Sequence, residues 1–147
     1  LVLRKLPLDE GRVVTGYLDE MDETATQLAE SADGLSGMAG PLREAVGGLR
    51  ATTEWLLDGT DPSDALAGAT PYLRQFGVVA GGYYLAKSAL IAKRLLAEDG
   101  DDPWLQAKID TAVFYAHQIL PQAAGAAPAV IAGADQLFAV DTEMLGQ

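Results

Sequence analysis

The sequence contains no cysteine and only one histidine among its 147 residues. The absence of cysteine excludes disulfide bonds, thiolate metal ligands and thiol nucleophiles. It gives no direct evidence on the redox compartment, and we expect a cytoplasmic protein. Because His117 is the only imidazole, any metal cluster based on histidine would have to take its other ligands from carboxylates.

Basic residues are also scarce, with 10 Lys and Arg against 21 Asp and Glu and a formal net charge of −11. An acidic chain repels the phosphates of nucleic acids and the headgroups of anionic lipids. The few cations are scattered along the sequence rather than gathered in a basic run. We therefore expect no nucleic-acid partner.

Uninterrupted apolar runs are missing as well. The longest stretch without a charged side chain, residues 111–134, could cross a bilayer core of about 30 Å by length. It contains His117, Pro121, Pro128 and two Gln, however, and is largely Ala and Gly. We interpret it as a buried helix and expect no membrane span.

The first six residues, Leu-Val-Leu-Arg-Lys-Leu, have neither the apolar core nor the small-residue cleavage site of a signal peptide. The chain begins with Leu1 rather than an initiator Met. We expect it to start inside a longer polypeptide.

Composition predicts an all-α protein. Aromatic residues make up 7%, and β-branched residues never form the alternating runs of a strand, whereas Ala, Leu, Glu and Gln are plentiful. Apolar residues recur at spacings of three and four in four segments, which are separated by Gly, Pro and Asp. Short links between long helices favour antiparallel neighbours, so the predicted architecture is an up-down antiparallel four-helix bundle.

The first predicted helix follows Pro7, carries Asp9 and Glu10 at its N-terminus, and ends near Gly34. The second predicted helix ends at Gly59. Their predicted core positions recur at helical spacing: Val14, Leu18, Met21, Ala25, Leu28 and Ala32 in the first, and Leu42, Val46, Leu49, Thr53 and Leu56 in the second.

A short helical turn with Asp61 as its cap and Pro62 in its first turn is predicted up to Gly68, and the third long helix begins at Pro71. This helix is apolar over a wide arc, which predicts a central position in the bundle. One apolar stripe contains Tyr72, Phe76, Val79, Tyr83, Ala86 and Leu90, and a second stripe beside it contains Leu73, Ala80, Tyr84, Ile91 and Leu95.

The fourth predicted helix has Asp102 as its cap and Pro103 in its first turn. Pro121 and Pro128 are expected to kink it, because each removes a backbone donor and crowds the carbonyl one turn earlier. Its predicted core positions are Leu105, Ile109, Ala112, Ala116, Leu120, Ala123, Ala127 and Ile131.

Few residues could carry chemistry. Helix bundles that hold two metals use a Glu-x-x-His step, and the residue three before His117 is Phe114, so a di-metal site is rejected. Asp99-Gly100-Asp101-Asp102 lacks the ligand spacing of a calcium loop and predicts a solvated turn. A Ser-His-Asp arrangement stays open, although the sequence has no Gly-x-Ser-x-Gly elbow.

The glycines of the third helix do not form a phosphate-binding loop, because they lie within a helical pattern and no Gly-Lys-Ser/Thr triplet follows. Gly77 and Gly81 are four residues apart, and we expect their common face to allow another helix to approach closely. Tyr72, Phe76, Tyr83 and Tyr84 are core residues in the preferred interpretation, with an apolar ligand pocket as the alternative.

Three passages match a family pattern. Residues 71–82 contain Tyr-Leu-x-x-Phe-Gly followed by Gly-Gly, residues 107–121 form the next helix and residues 133–135 its end, and residues 1–6 read Leu-Val-Leu-Arg-Lys-Leu. These passages resemble the C-terminal extension of the larger acyl-CoA dehydrogenases, the branch that includes 3-methylmercaptopropionyl-CoA dehydrogenase-like enzymes. The family usually has Gly in place of Leu3. The similarity is good over roughly residues 70–135 and weak from Asp9 to Gly68.

The resemblance implies a parent flavoenzyme that desaturates an acyl-CoA thioester between Cα and Cβ. In such enzymes a Glu removes the α-proton while a hydride moves from the β-carbon to FAD. The motifs that carry this chemistry lie upstream of the Leu-Val-x-Arg-Lys-Leu segment and are not in this chain. We therefore assign no catalytic, cofactor-binding or metal-binding residue to it.

The resemblance also implies a division of the chain. Residues 1–6 are expected to end the catalytic region, residues 7–135 to form the helical C-terminal domain, and residues 136–147 to form an irregular tail. The expected partners are the catalytic region of the same parent chain and a second subunit, and acyl-CoA is the substrate of the parent.

Two other hypotheses remain from the sequence. The chain could be a free-standing helical module that docks a partner protein or an apolar ligand. It could also be a small helical hydrolase that uses His117 with one of its serines, Ser31, Ser36, Ser63 or Ser88, and an aspartate.

Overall fold

The computed structural model describes residues 2–31, 34–140 and 142–146. Within these residues the chain is all-helical and contains no strand, which confirms the predicted class. The α-helices are α1 (Arg12–Glu30), α2 (Ala39–Leu57), α3 (Pro62–Ala67), α4 (Ala69–Asp99), α5 (Pro103–Gln118) and α6 (Ala127–Val130). Short 3-10 segments lie at Leu8–Gly11, Ser36–Met38, Leu120–Ala126, Asp135–Leu137 and Thr142–Gly146.

Aspartate caps and prolines begin two of the helices, as predicted. The Asp61 carboxylate accepts a hydrogen bond of 2.8 Å from the backbone N–H of Ser63 at the start of α3. Asp102 accepts one of the same length from the N–H of Trp104 at the start of α5. Pro62 and Pro103 occupy the first turns, where the missing N–H has no helical partner.

The start of the first helix differs from the prediction. Asp9, Glu10 and Gly11 have φ values of 54°, 57° and 81°, in the left-handed region that a right-handed helix cannot contain. The helix therefore begins at Arg12, and Asp9 pairs with Arg12 instead of acting within its first turn. Gly11 lies against Leu57, so the beginning of the described chain is held at the end of α2.

The predicted core of the first two helices is confirmed for every described position, and Ala32 lies outside the described residues. Val2 and Leu6 are buried in the same core.

Salt bridges also connect the first two helices: Arg50 on α2 pairs with Asp19 and Asp22 on α1, at nitrogen–oxygen distances of 2.9 and 2.7 Å. The domain boundaries at residues 6 and 135 stay predictions.

The predicted fourth helix is interrupted. α5 ends at Gln118, a 3-10 segment follows from Leu120 to Ala126, and α6 is a single turn. Pro121 has no N–H to continue the helix, and its ring disfavours the helical conformation of the residue before it. After this break Val130 is buried and Ile131 is 50% exposed, so the predicted core position is wrong by one residue.

The interpretation of residues 111–134 as one buried helix is likewise wrong, because the helix breaks at Pro121 and Phe114 is 60% exposed. Among the described residues, no single helix is both long enough and apolar enough to cross a membrane. One bent combination, Pro103–Val130 with Asp135–Gly146, meets the length and composition criteria across a 76° bend.

The central position predicted for the third long helix is confirmed. α4 packs against α1, α2, α5, α6 and the 3-10 segment that follows α5. Its links to α2 include two buried polar contacts, from the Thr53 hydroxyl to the Tyr72 hydroxyl and from the Thr52 hydroxyl to the Gln75 side-chain oxygen, each 2.8 Å long.

Candidate interaction surface

One side of α4 is apolar and exposed. Leu73, Tyr84 and Ile91 are 59%, 60% and 49% exposed, and Gly77 is exposed between them. Residues separated by multiples of three and four lie along one side of a helix, so these residues and the half-buried Ala80 form one line, which we call the α4 strip. It extends for about 27 Å at 1.5 Å per residue. The second predicted apolar stripe is thus exposed at Leu73, Tyr84 and Ile91, and the core interpretation of Tyr84 is wrong.

Positive charge borders the α4 strip. Residues 69–97 contain Arg74, Lys87, Lys93 and Arg94 and no carboxylate, in a chain whose formal charge is −11. Arg74, Lys87 and Arg94 are exposed. The cations that look scattered along the sequence therefore include a group on one helix, and Lys87 and Arg94, which are seven residues apart, lie on the same side of it.

A cluster of aromatic side chains connects α1 to this surface. The ring of Tyr17 stacks on Phe76 at 6.0 Å and meets Tyr83 edge-on at 5.6 Å, and Tyr83 lies 4.9 Å from the ring of Tyr84. The Tyr83 hydroxyl donates to Glu20 at 3.3 Å and accepts from the Lys87 ammonium at 3.1 Å. These contacts pack the ring of Tyr84 against the other aromatic rings of the cluster.

Two pKa values in this cluster are shifted. Burial is the main cause that raises the pKa of the Tyr17 phenol, and Tyr84, Tyr83 and Glu20 add to it. The hydrogen bond to Tyr83 is the main cause that raises the pKa of Lys87. Because both pKa values are raised, Tyr17 and Lys87 keep their protons near neutral pH.

The aromatic residues that the sequence singled out divide between core and surface. Tyr72 and Tyr83 are buried, Phe76 is half-buried, and only Tyr84 is largely exposed. The core interpretation is right for the first three, and Tyr84 belongs to the exposed strip.

The two glycines expected to share a helix contact have different surroundings. A Cβ built on Gly81 would lie 2.6 Å from the hydroxyl oxygen of Tyr115 on α5, so another helix contacts this glycine as predicted, but through a side chain and not through its backbone. The Tyr115 hydroxyl donates to the carbonyl of Val78 at 3.0 Å. A Cβ on Gly77 would have no atom within 4 Å, so Gly77 belongs to the α4 strip and not to the packed face.

The residues considered for catalysis do not come together. His117 is exposed on the last turn of α5, and a Cβ on Gly37 would lie 3.9 Å from its Nε2. Among the hydrogen bonds of the described residues, none joins His117 to a serine or a carboxylate. The described residues also contain no group of three or more His, Asp or Glu side chains that could hold a metal ion.

The sequence predicted an apolar stripe at Leu73, Ala80, Tyr84 and Ile91, but it did not indicate that this stripe is exposed. A second signal in the sequence was the long stretch without a carboxylate between Asp64 and Glu98, within a strongly acidic chain. A helix that is both apolar on its outer side and depleted of acidic residues is a candidate interaction surface.

Known proteins resemble this chain over most of its length. Residues 17–141 match the family model described as "Acetyl-CoA dehydrogenase C-terminal like". The chain is 37% identical over 122 residues to the 3-methylmercaptopropionyl-CoA dehydrogenase of Ruegeria pomeroyi. The aligned region covers 82% of this chain and 21% of that protein. This chain thus spans about a fifth of that relative. No solved structure was found to match. Because the family model covers most of the chain, we conclude that it belongs to the acetyl-CoA dehydrogenase C-terminal-like family, a C-terminal domain of the acyl-CoA dehydrogenase type.

Proposed function

We propose that this chain is the C-terminal accessory domain of an FAD-dependent acyl-CoA dehydrogenase, and that the domain itself is not catalytic. The parent enzyme would convert acyl-CoA to 2-enoyl-CoA. The observation that carries the proposal is the match to a C-terminal family model over residues 17–141, together with a relative named as an acyl-CoA dehydrogenase that is about five times as long as the aligned region.

Three features of the described residues argue against an FAD site in this chain. The N-terminal amides of α3 and α5, which could otherwise hold a diphosphate, are occupied by the carboxylates of Asp61 and Asp102. A surface depression of about 560 Å³ between α4 and α5 is lined by Lys93, Asp101 and Asp102, and its two carboxylates would repel a diphosphate. The flavin therefore belongs to another part of the parent in this proposal.

The residue inventory supports a structural role. General acid-base catalysis needs a base within hydrogen-bonding reach of its partner, and His117 has no such partner among the described serines and carboxylates. The aromatic cluster and the cations of α4 can bind and orient another surface, and the raised pKa of Tyr17 keeps that phenol from acting as a nucleophile.

We further propose that the four long helices form the up-down antiparallel bundle. Contacts between opposite ends support this arrangement: Gly11 with Leu57 and Asp19 with Arg50 join α1 to α2, and Thr53 with Tyr72 joins α2 to α4. We also propose that residues 136–147 form an irregular tail, that the domain contacts a second subunit of the parent, and that the parent is cytoplasmic.

The function is tested by comparing the purified chain with its full-length parent. We expect the parent to contain FAD and to reduce an artificial electron acceptor when acyl-CoA is added. The isolated chain is expected to show no flavin absorbance after incubation with FAD and no acyl-CoA oxidation. Stoichiometric FAD binding by the chain alone would contradict the non-catalytic role, and a parent without flavin would contradict the proposed reaction.

A further inference from the structure

We propose that the α4 strip docks onto the preceding region of the same parent polypeptide, through an apolar patch on that region bordered by carboxylates. This inference rests on the proposed function, which supplies the parent. The strip contains Leu73, Tyr84 and Ile91, each exposed by about half or more, on the helix that contacts most of the other elements. Exposed apolar surface on a central helix indicates an interface.

The location of the strip favours a partner upstream in the same chain. The described chain begins with the buried Val2, and its first segment lies against Leu57 at the end of α2 through Gly11. α2 leads through the short α3 directly into the beginning of α4. A polypeptide that precedes this domain would therefore arrive at the end of the molecule where Leu73 lies.

An apolar path connects that end to the α4 strip. Leu8 and Val13, near the beginning of the chain, are 48% and 62% exposed. Val13 is one helical turn before Tyr17, so both lie on the same side of α1. Tyr17 stacks on Phe76 and contacts Tyr83, the neighbour of Tyr84. These ring contacts thus connect the side of α1 that carries the exposed Val13 to the exposed Tyr84 in the middle of α4.

Charge argues against a second copy as the occupant. A symmetric dimer places the same patch of each subunit face to face. Two α4 strips would bring Lys87 and Arg94 of each copy into one interface, where residues 69–97 supply no carboxylate. Glu20 on α1 lies near Lys87, but it already accepts the hydrogen bond of the Tyr83 hydroxyl. Like charges across an interface suppress association. The chemistry of the strip fits a partner surface that is apolar at its centre and acidic at its edge.

The amount of chain outside this domain is sufficient to supply such a surface. The aligned region is only 21% of the relative from Ruegeria pomeroyi, and the matching family model describes a C-terminal unit. In a parent of similar length, most of the polypeptide precedes the domain and is tethered to it. Tethering raises the effective concentration of the partner surface, so a strip of modest area is enough for stable docking.

The first test places a photoreactive p-benzoylphenylalanine at position 84 of the full-length parent, with position 114 as the matched control. Phe114 is as exposed as Tyr84, at 60%, but lies on the side of α5 away from its buried residues. We expect illumination to link position 84 to residues upstream of the domain within the same chain, and position 114 to give no such product. A product of two chains, no protein product, or equal capture from both positions would overturn the proposal.

The second test uses Ile91→Asp in the full-length parent, with Phe114→Asp as its control. Undocking should expose the connection between the two regions, and we expect limited proteolysis there to become about tenfold faster for Ile91→Asp, since one apolar anchor corresponds to about that factor. Equal rates for the two variants would overturn the proposal. Acyl-CoA oxidation is assayed separately: a docked but inactive parent would refute the proposed function alone, and an active parent without cross-links would refute the docking alone.

Discussion

The two sides of α4 are both apolar, but only one of them is covered within the domain. The inner side contains the buried Tyr72, Val79 and Tyr83, while the outer side exposes Leu73 and Tyr84. Apolar composition identifies a surface whose removal from water lowers the free energy. It does not specify whether the covering surface comes from the same domain or from another one.

The glycines of α4 show the same contrast at a spacing of one turn. Gly81 lies against Tyr115, and Gly82 lies against Leu120, where a Cβ would come within 2.5 Å. Gly77 faces open space. Glycine costs about 1 kcal/mol of helix propensity relative to alanine. Close packing explains this cost at Gly81 and Gly82, and docking of an outer surface on the α4 strip would explain it at Gly77.

The largest difference is expected between two tyrosines. Tyr72→Ala removes a fully buried ring and should lower the free energy of unfolding by about 4 kcal/mol, as large aromatic truncations in cores do. Tyr84→Ala removes a ring that is 60% exposed and should change it by no more than about 0.5 kcal/mol. Urea unfolding of the two variants measures both values. Similar losses would show that the outer side is as well packed as the inner side.

The glycine pair sharpens the contrast through the close contact of the Tyr115 side chain with Gly81. Gly81→Leu forces a side chain against the Tyr115 hydroxyl and should lower stability by about 2 kcal/mol, which corresponds to a fall in melting temperature of about 6 °C. Gly77→Leu should instead raise stability by up to about 1 kcal/mol, because leucine is the better helix former. Thermal unfolding followed by circular dichroism provides the measurement. An unchanged melting temperature for Gly81→Leu would reject the close-packing explanation.

The buried polar contacts of the inner side give a smaller effect. Tyr72→Phe removes the hydrogen bond to Thr53 and should cost about 1 kcal/mol. Gln75→Leu should cost less or be neutral, because the Gln75 side-chain nitrogen is buried without a hydrogen-bond partner in the described structure, and Thr52 keeps its bond to the Leu49 carbonyl at 3.0 Å. Chemical denaturation compares the two variants. A larger loss for Gln75→Leu would show that its amide is satisfied in solution.

The smallest expected effect is a change in stability with pH that depends on Tyr17, which contacts α4 from α1. The pKa of Tyr17 is raised in the folded chain, chiefly by burial. The unfolded phenol loses its proton near pH 10, whereas the folded one keeps it to a higher pH. The stability that this difference supports is complete below about pH 10 and decreases as the pH rises further. We expect the Tyr17→Phe variant to lose less stability than the unsubstituted chain between about pH 9 and 11, as measured by chemical denaturation at each pH. An identical decrease would contradict the raised pKa of Tyr17.

Periodicity and punctuation in the sequence predicted much of the fold. The buried positions of α1 and α2, the caps at Asp61 and Asp102, and the central place of α4 follow from local rules. These rules act within one helical turn, so they can be read from neighbouring residues. The helix that was expected to continue through Pro121 shows their limit, because the sequence did not indicate whether the proline would bend the helix or end it.

The candidate surface could be predicted only in part. The residues of the α4 strip were recognised as apolar, and the sequence contained the depletion of acidic residues around them. Gly77 and Gly81 were indistinguishable, since each is a glycine in the same helical pattern. Only the position of Tyr115 on another helix separates them.

The sequence by itself determined the helical class, the positions of the main helices and the family to which the chain belongs, because these depend on residue types and on spacings along the chain. The tertiary structure decided which apolar residues of α4 are covered, which glycine is in close contact, and where the last long helix ends. These properties depend on side chains that are distant in sequence, and a side chain is buried only when another element occupies the space in front of it.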